Sequence, residues 1–318
     1  MRKKYLYGML NRCTCLENFA MTEKYRGLSG DPQTGQPLVP GIADGSDGRV
    51  LPAGEGHSIR IAAPSWVMPG SILDNCLFLD GKVDEIELLF LETASCLAYG
   101  RQDLPPDLAG LSLSFHVHLP SDLPWEEGGK KTASICLALM EKVDFLEAKK
   151  AVLHPPDNTN RTRTGKCKAA LEDFAREWER AGRAARDILL ENTGENDLAG
   201  CAGMFGPEGF GLCPDLGHVL AYGQDALVAM LDELPEEARP GMVHCSAPGS
   251  GLPGRAPRGA HLPLDALDAA GLAMGETICS FLSPGGVLVA ELFNWEYIER
   301  SLPVVQKWRT AACGAPLE

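Results

Sequence analysis

The chain has 318 residues, 45% of them hydrophobic, enough to bury a substantial core and to fit one α/β barrel of about 250 residues plus extensions. Against 29 basic side chains stand 43 acidic ones, a net charge of -14, which argues against a polyphosphate partner unless a dense basic stripe overrides the field. The nearest candidates, "RKK" at the start and "RTRTGKCK" at 161–168, are too sparse for that, and the second reads as a solvated loop or helix face.

The opening "MRKKYLYGMLNRCTCLENFA" has a basic start, but Gly8 and Asn11 break its apolar run before it reaches the length of a secretory h-region. Residues 22–56 are rich in Gly, Pro and Asp and read as a flexible extension, so the expected division is an extension over 1–56 and a catalytic domain over 57–318. From His57 onward short apolar runs alternate with amphipathic segments, the texture of repeated βα units. The predicted strands are 58–64, 85–92, 113–118, 151–154, 188–191, 210–215, 241–244 and 286–291. Between them helices are predicted at 71–81, 131–146, 168–185, 225–234 and 264–282, where apolar residues recur at spacings of three and four. Another helix is expected to follow Asp215. Eight such units close a (β/α)₈ TIM barrel. No run reaches the roughly 18 apolar residues a membrane span needs.

Eleven cysteines, an odd number without a CxxC pair, point to free thiols and a cytoplasmic setting.

In a (β/α)₈ barrel, reactive groups project from the carboxyl ends of the strands. The residues that close the apolar runs are Glu92, His118, His154, Glu191, Asp215, His244 and Glu291. Of the seven histidines, His118, His154 and His244 close runs, while His218 and His261 follow in loops. A strand-end carboxylate taken alone is commonly a helix N-cap, and a lone histidine is commonly packed. Together, however, so many carboxylates and imidazoles at one mouth need cations to gather them. Mixed imidazole and carboxylate donors suit Zn²⁺, Mn²⁺ or Fe²⁺, and two or three ions can share them. In "FHVH" both histidines share one strand face; His118, nearer the mouth, is the expected ligand, with His116 packed or supporting it. The constellation suits both phosphoester hydrolysis and sugar isomerisation.

The motifs "HLP" at 118–120, "HPP" at 154–156, "ENT" at 191–193, "DLGH" at 215–218, "VH" at 243–244 and Glu291 resemble, in order, the metal-binding motifs of the endonuclease IV and xylose-isomerase-like barrels. The resemblance implies that His118 and His154 hold one ion, that Glu191 bridges it to a second, and that Asp215, His244 and Glu291 complete the second. It implies a third ion at His218 and His261. That site usually takes an aspartate from a D-x-H stretch, and here Gly259 stands in its place, so two ions, or a third completed by water or substrate, are equally compatible. Glu191 and Glu291 would carry the catalytic role.

From about residue 58 onward, "APSWVMPGSILDNCLFL", "VDEIELLFLET", "HVHLPSDLPW", "VLHPP", "DLGHVLAYGQ", "MVHCSAPG" and "HLPL" resemble the cobamide-remodelling phosphodiesterases. This implies hydrolysis of the nucleotide loop of a corrinoid to leave cobinamide phosphate. Glu92, Tyr99, His116, Trp125, Tyr222 and Ser246 are the expected substrate-binding residues, the three aromatic rings offering surfaces to a bulky apolar edge. The expected partner is a small corrinoid, with neither nucleic acid nor membrane. The competing expectations are an abasic-site endonuclease, a sugar isomerase or epimerase, and a corrinoid carrier with vestigial ligands.

Overall fold

A computed structural model describes residues 58–158, 161–253 and 255–313, with the side chains of 161–164 excepted. The extension expected over 1–56 lies outside the described residues. Eight parallel strands form one sheet in the order β6-β5-β4-β3-β2-β1-β8-β7. They are β1 (Arg60–Pro64), β2 (Glu85–Leu89), β3 (Ser114–His118), β4 (Ala151–Leu153), β5 (Ile188–Glu191), β6 (Gly211–Cys213), β7 (Met242–His244) and β8 (Val287–Val289). The seam between β6 and β7 is closed by Gly241 N–H donating to the Leu212 carbonyl at 3.1 Å, His244 N–H donating to the Pro214 carbonyl at 2.9 Å, and a bridge pairing Asp215 with His244. The TIM barrel is therefore closed, and its closure sets two of the expected ligands side by side.

Helices α1 (Ile72–Leu79), α2 (Thr93–Leu97), α3 (Gly129–Glu141), α4 (Arg161–Arg180), α5 (Leu216–Tyr222), α6 (Asp225–Glu233), α7 (Ala269–Ser280) and α8 (Trp295–Ala312) lie on the connections. Local chemistry fixes their starts. Ser71 and Asp74 form a reciprocal capping box at α1, and Asp268 accepts from Gly271 N–H at 2.8 Å to start α7. Where α3 crosses α4, a side chain at Gly129 would meet the Ala170 carbonyl, so only glycine permits that approach. The stretch "RTRTGKCK" forms the start of α4, where Lys166 and Lys168 are exposed and Cys167 is buried.

Several expectations need correction. The helix expected over 131–146 ends at Glu141, and that expected over 264–282 is α7 preceded by a separate 3-10 turn, Leu264–Ala266. The expected 168–185 helix starts earlier and ends at Arg180, while α8 has no counterpart among the predicted helices. The fifth unit has no α-helix: β5 returns to β6 through the 3-10 turn Ala199–Met204, in a segment whose many glycines resist a continuous helix.

Strand periodicity separates two cores. Ile61, Ile86, Leu88, Val117, Leu153, Leu190, Leu212, Val243 and Leu288 face the helices as part of the large outer core. A second cluster, Ala62, Val152, Leu189, Cys213, Met242, Val287 and Val289, fills the inside of the barrel. On β2 and β3 the corresponding inward positions carry Glu85, Glu87, His116 and His118 instead, all buried. The nine described cysteines are free, and no helix among the described residues is long and apolar enough to cross a membrane.

Candidate metal centre

The inward phase of each strand, carried to its end or one step past it, builds the mouth. Val152 leads to His154, Leu189 to Glu191, Cys213 to Asp215, Met242 to His244 and Val289 to Glu291. Three groups of mutually close donors result: His118 with His154 and Glu191; Glu191 with Asp215, His244 and Glu291; and Glu87 with His118 and His244. Within each group the donor atoms lie within 4.8 Å of one another.

Glu191 is the hinge of the first two groups. Its Oε2 is 3.1 Å from both His118 Nε2 and His154 Nε2, while its Oε1 is 3.6 Å from His244 Nδ1 and from His218 Nδ1. Burial opposes its charge, but the charges of His154 and His244 and the hydrogen bonds from His118 and His154 outweigh burial, holding the carboxyl well below the usual range. Burial likewise opposes the imidazolium of His118, yet the hydrogen bond and charge of Glu191 raise it to about 9. Asp215 shows the opposite balance: burial dominates, and its carboxyl is pushed up to about 6.

Asp215 serves two purposes. Its Oδ1 accepts the His218 N–H at 2.5 Å and caps α5, so the ordinary helix-cap role is real; its Oδ2 is buried with no hydrogen bond. His244 Nδ1 and Glu291 Oε2 lie 3.0 Å apart, but neither makes an aligned hydrogen bond. Polar atoms left without partners in so closed a place carry a large penalty, and a divalent cation relieves it. The donor set, imidazole with carboxylate, fits such an ion. Cys213, also near His244, has its thiol pushed up to about 12 by burial and is a poor donor.

Backbone carbonyls orient the outer imidazoles. His118 Nδ1 meets the Leu119 carbonyl at 3.0 Å, His218 Nδ1 the Asn192 carbonyl at 2.8 Å, and His261 Nδ1 the Glu291 carbonyl at 3.0 Å. With Nδ1 donating, Nε2 is the nitrogen that each ring, once neutral, would offer to an ion. Asn192 adds a second restraint: its Oδ1 accepts the Asp215 N–H at 2.7 Å and its Nδ2 donates to Gln224 Oε1 at 2.7 Å. The His218 and His261 rings lie 6.3 Å apart, and no group of three donors among the described residues includes either one. The glycine at 259 thus leaves this pair without a third side-chain donor.

The expected substrate residues separate. Trp125 donates from Nε1 to the His154 carbonyl at 3.1 Å, and Tyr222, 43% exposed, tilts against His218 with ring centroids 5.9 Å apart. The other four have other neighbours. Strand β2 ends at Leu89, so Glu92 is the residue before α2, 3.2 Å from Ser95 Oγ and outside every donor group. Tyr99 packs edge-on to Phe90, accepts Lys142 Nζ on its carbonyl at 3.0 Å, and lines an outer groove with Leu104 and Phe145. His116 is fully buried beneath His118 with Nδ1 2.6 Å from Glu85 Oε1, leaving it no surface for a ligand. Ser246 is buried against Gly217 at the start of α5, where a methyl on the glycine would strike its Oγ.

Two residues at the site were not foreseen. Phe293 packs on His261 with centroids 4.9 Å apart. Glu87 could have been found, because "EIELL" alternates charge and apolar residue with the period of a strand, putting Glu85 and Glu87 on one face.

The fold has counterparts among solved structures. No family model matches the chain, and no curated protein matches it in sequence. A D-tagatose 3-epimerase-like protein aligns with a TM-score of 0.59 at 17% identity, over 80% of this chain and 99% of its own. Endonuclease IV from Thermus thermophilus aligns with a TM-score of 0.54 at 19% identity, over 80% and 100% respectively. The IOLI protein, solved with a bound zinc atom, aligns with a TM-score of 0.53 at 17% identity, over 80% and 98%. The chain shares their fold. At these identities the likeness extends to the barrel and not to any one reaction.

Proposed function

We propose that the protein is a metal-dependent phosphodiesterase of the xylose-isomerase-like and endonuclease IV barrels, and that it hydrolyses the nucleotide loop of cobamides to release cobinamide phosphate. The observation that carries the reading is the division of Glu191 between two donor groups, one oxygen toward His118 and His154 and the other toward His244. A carboxylate so placed suits a pair of neighbouring divalent ions. When bound, such ions supply Lewis acidity, acidifying water and drawing charge from phosphoryl oxygens.

The remaining work falls to the chain's own residues. Glu191 and Asp215 hold negative charge at fixed points, and Asn192 keeps Asp215 and His218 in register. Trp125 fixes the backbone at His154. Tyr222 offers an exposed ring beside the mouth, suited to the apolar edge of a corrinoid. The substrate assignment draws on the ordered motifs from Ala63 to Leu264, and the acidic balance of -14 weighs against duplex DNA.

Incubation of the purified chain with a cobamide under reducing conditions, with Mn²⁺, Fe²⁺ or Zn²⁺ and with chelator, tests the reading by chromatography and mass spectrometry of the products. Metal-dependent cobinamide phosphate, lost in His154→Ala and Glu191→Ala, is expected. Intact cobamide under every metal sinks the substrate assignment. A second reading, a sugar epimerase, is favoured by the four-donor group Glu191, Asp215, His244 and Glu291, which suits one ion by itself. Turnover of a ketose panel that survives His154→Ala would favour it.

A further inference from the structure

Glu87 stands on the inward phase of β2, wholly buried, and neither of its oxygens has an aligned hydrogen bond. Its Oε1 is 3.1 Å from His244 Nε2 and 3.6 Å from His116 Nε2. Farther from the mouth, His116 Nδ1 meets Glu85 Oε1 at 2.6 Å, and Glu85 Oε2 meets Ser114 Oγ at 3.0 Å and Arg60 at 2.5 Å. A file of polar groups thus descends from the metal centre to the opposite end of the barrel, through positions that branched aliphatic residues usually fill. Burying charge there is costly, so the file needs a physical reason.

Glu87 belongs to a donor group with His118 and His244, which raises the question whether it is a metal ligand. The lone pairs answer it. His118 Nδ1 is engaged by the Leu119 carbonyl, and its Nε2 lies 3.1 Å from Glu191 Oε2, so its one lone pair serves the group at His154. His244 turns Nδ1 toward Glu291 Oε2 at 3.0 Å and Glu191 Oε1 at 3.6 Å. Only His244 Nε2 is left for Glu87.

We propose that Glu87 is a positioning residue for the metal centre: its carboxylate takes the Nε2–H of His244, fixing the tautomer that presents Nδ1 to an ion beside Asp215 and Glu291. His116, anchored on Glu85, steadies Glu87 from below. An imidazole gives an ion one lone pair, and a carboxylate on its other nitrogen both orients the ring and raises its basicity. The proposal rests on the metal part of the reading above and is independent of the substrate.

The test uses the full chain and zinc alone. Bound zinc per chain and its affinity, from competition with a chromogenic chelator, are measured for the wild type and for Glu87→Gln, with ¹⁵N spectra of the imidazoles in the loaded protein. The expected wild-type spectrum has one histidine with zinc on Nδ1 and a proton on Nε2, a signature absent in His244→Gln. In Glu87→Gln, zinc affinity at the centre containing His244 falls by about 10- to 100-fold. Unchanged affinity in a folded Glu87→Gln variant overturns the proposal while leaving the metal centre standing. Zinc on Nε2 of His244 overturns it from the wild-type spectrum alone, so the result does not depend on the variant folding. A wild-type chain that binds no zinc overturns the metal reading itself.

Discussion

Replacing Glu191 with glutamine keeps the side chain's shape and removes its charge, and the geometry predicts damage at two places at once. One oxygen lies 3.1 Å from His118 Nε2 and His154 Nε2; the other lies 3.6 Å from His244 Nδ1, beside Asp215 and Glu291. Structural zinc sites with four ligands bind with about 10–16 kcal/mol, or roughly 3 kcal/mol per ligand. Loss of one charged donor therefore weakens each group by about a hundredfold. Asp215→Asn is the contrasting variant, because Asp215 belongs to only one of the two groups that contain Glu191. Dialysis against graded chelator, with bound zinc measured by mass spectrometry, should show two ions per wild-type chain. Glu191→Gln should lose both ions at lower chelator strength, and Asp215→Asn should lose one and keep the other. If Glu191→Gln weakens a single ion, or Asp215→Asn weakens both equally, the bridging role of Glu191 is wrong.

Trp125→Phe removes the bond to the His154 carbonyl, worth about 1 kcal/mol, and should weaken the ion at His118 and His154 about fivefold while sparing the other, as read by the same titration. Gly129→Ala would put a methyl 1.9 Å from the Ala170 carbonyl oxygen; overpacking of that kind costs about 1–3 kcal/mol, and thermal unfolding should shift down by several degrees with zinc stoichiometry unchanged. Gly259→Asp should add a donor beside Tyr222 and His218 and raise the zinc count by one, with an unchanged count disproving that the glycine limits this site. The Asp215 carboxyl is raised from 3.8 to about 6 in the metal-free fold, so the folded state holds its proton more tightly than the unfolded chain. Its contribution favours folding below the unfolded value and is lost as pH rises toward about 6. Metal binding runs the other way, weakening as pH falls through about 6, and Asp215→Asn should flatten both dependences in unfolding and zinc titrations.

The barrel was legible because strand chemistry repeats: short apolar runs mark the strands, and each predicted run contains an observed one. The mouth was legible for the same reason. His154, Glu191, Asp215 and Glu291 lie one inward step beyond apolar inward residues, so reading the end of each run finds them. That rule fails where a run continues past the strand: "EIELLFLE" closes on Glu92, but the strand ends at Leu89 and the inward carboxylate is Glu87, in the run's interior. The helix α8 escaped notice because Pro303 and its many charged residues blur the apolar period.

The polar file under the mouth bears on what the whole site is for. An aliphatic barrel interior would stabilise the fold without charge burial, and β4 to β8 follow that rule with Val152, Leu189, Cys213, Met242, Val287 and Val289. Strands β2 and β3 depart from it together, and their register brings Glu87 beside His116, so a carboxylate on one strand faces an imidazole on the next. Arg60 closes the far end of the file on Glu85, leaving the cost at its upper part, where both Glu87 oxygens and His116 Nε2 lack an aligned hydrogen bond. Such an expense in folding free energy is reasonable only if the group acts on its upper neighbour, His244, and His244 is the imidazole that faces both Glu191 and Glu291. The departure from apolar packing therefore points toward the same centre that the strand ends define, and makes Glu87 the residue whose replacement best separates support of a ligand from support of the fold.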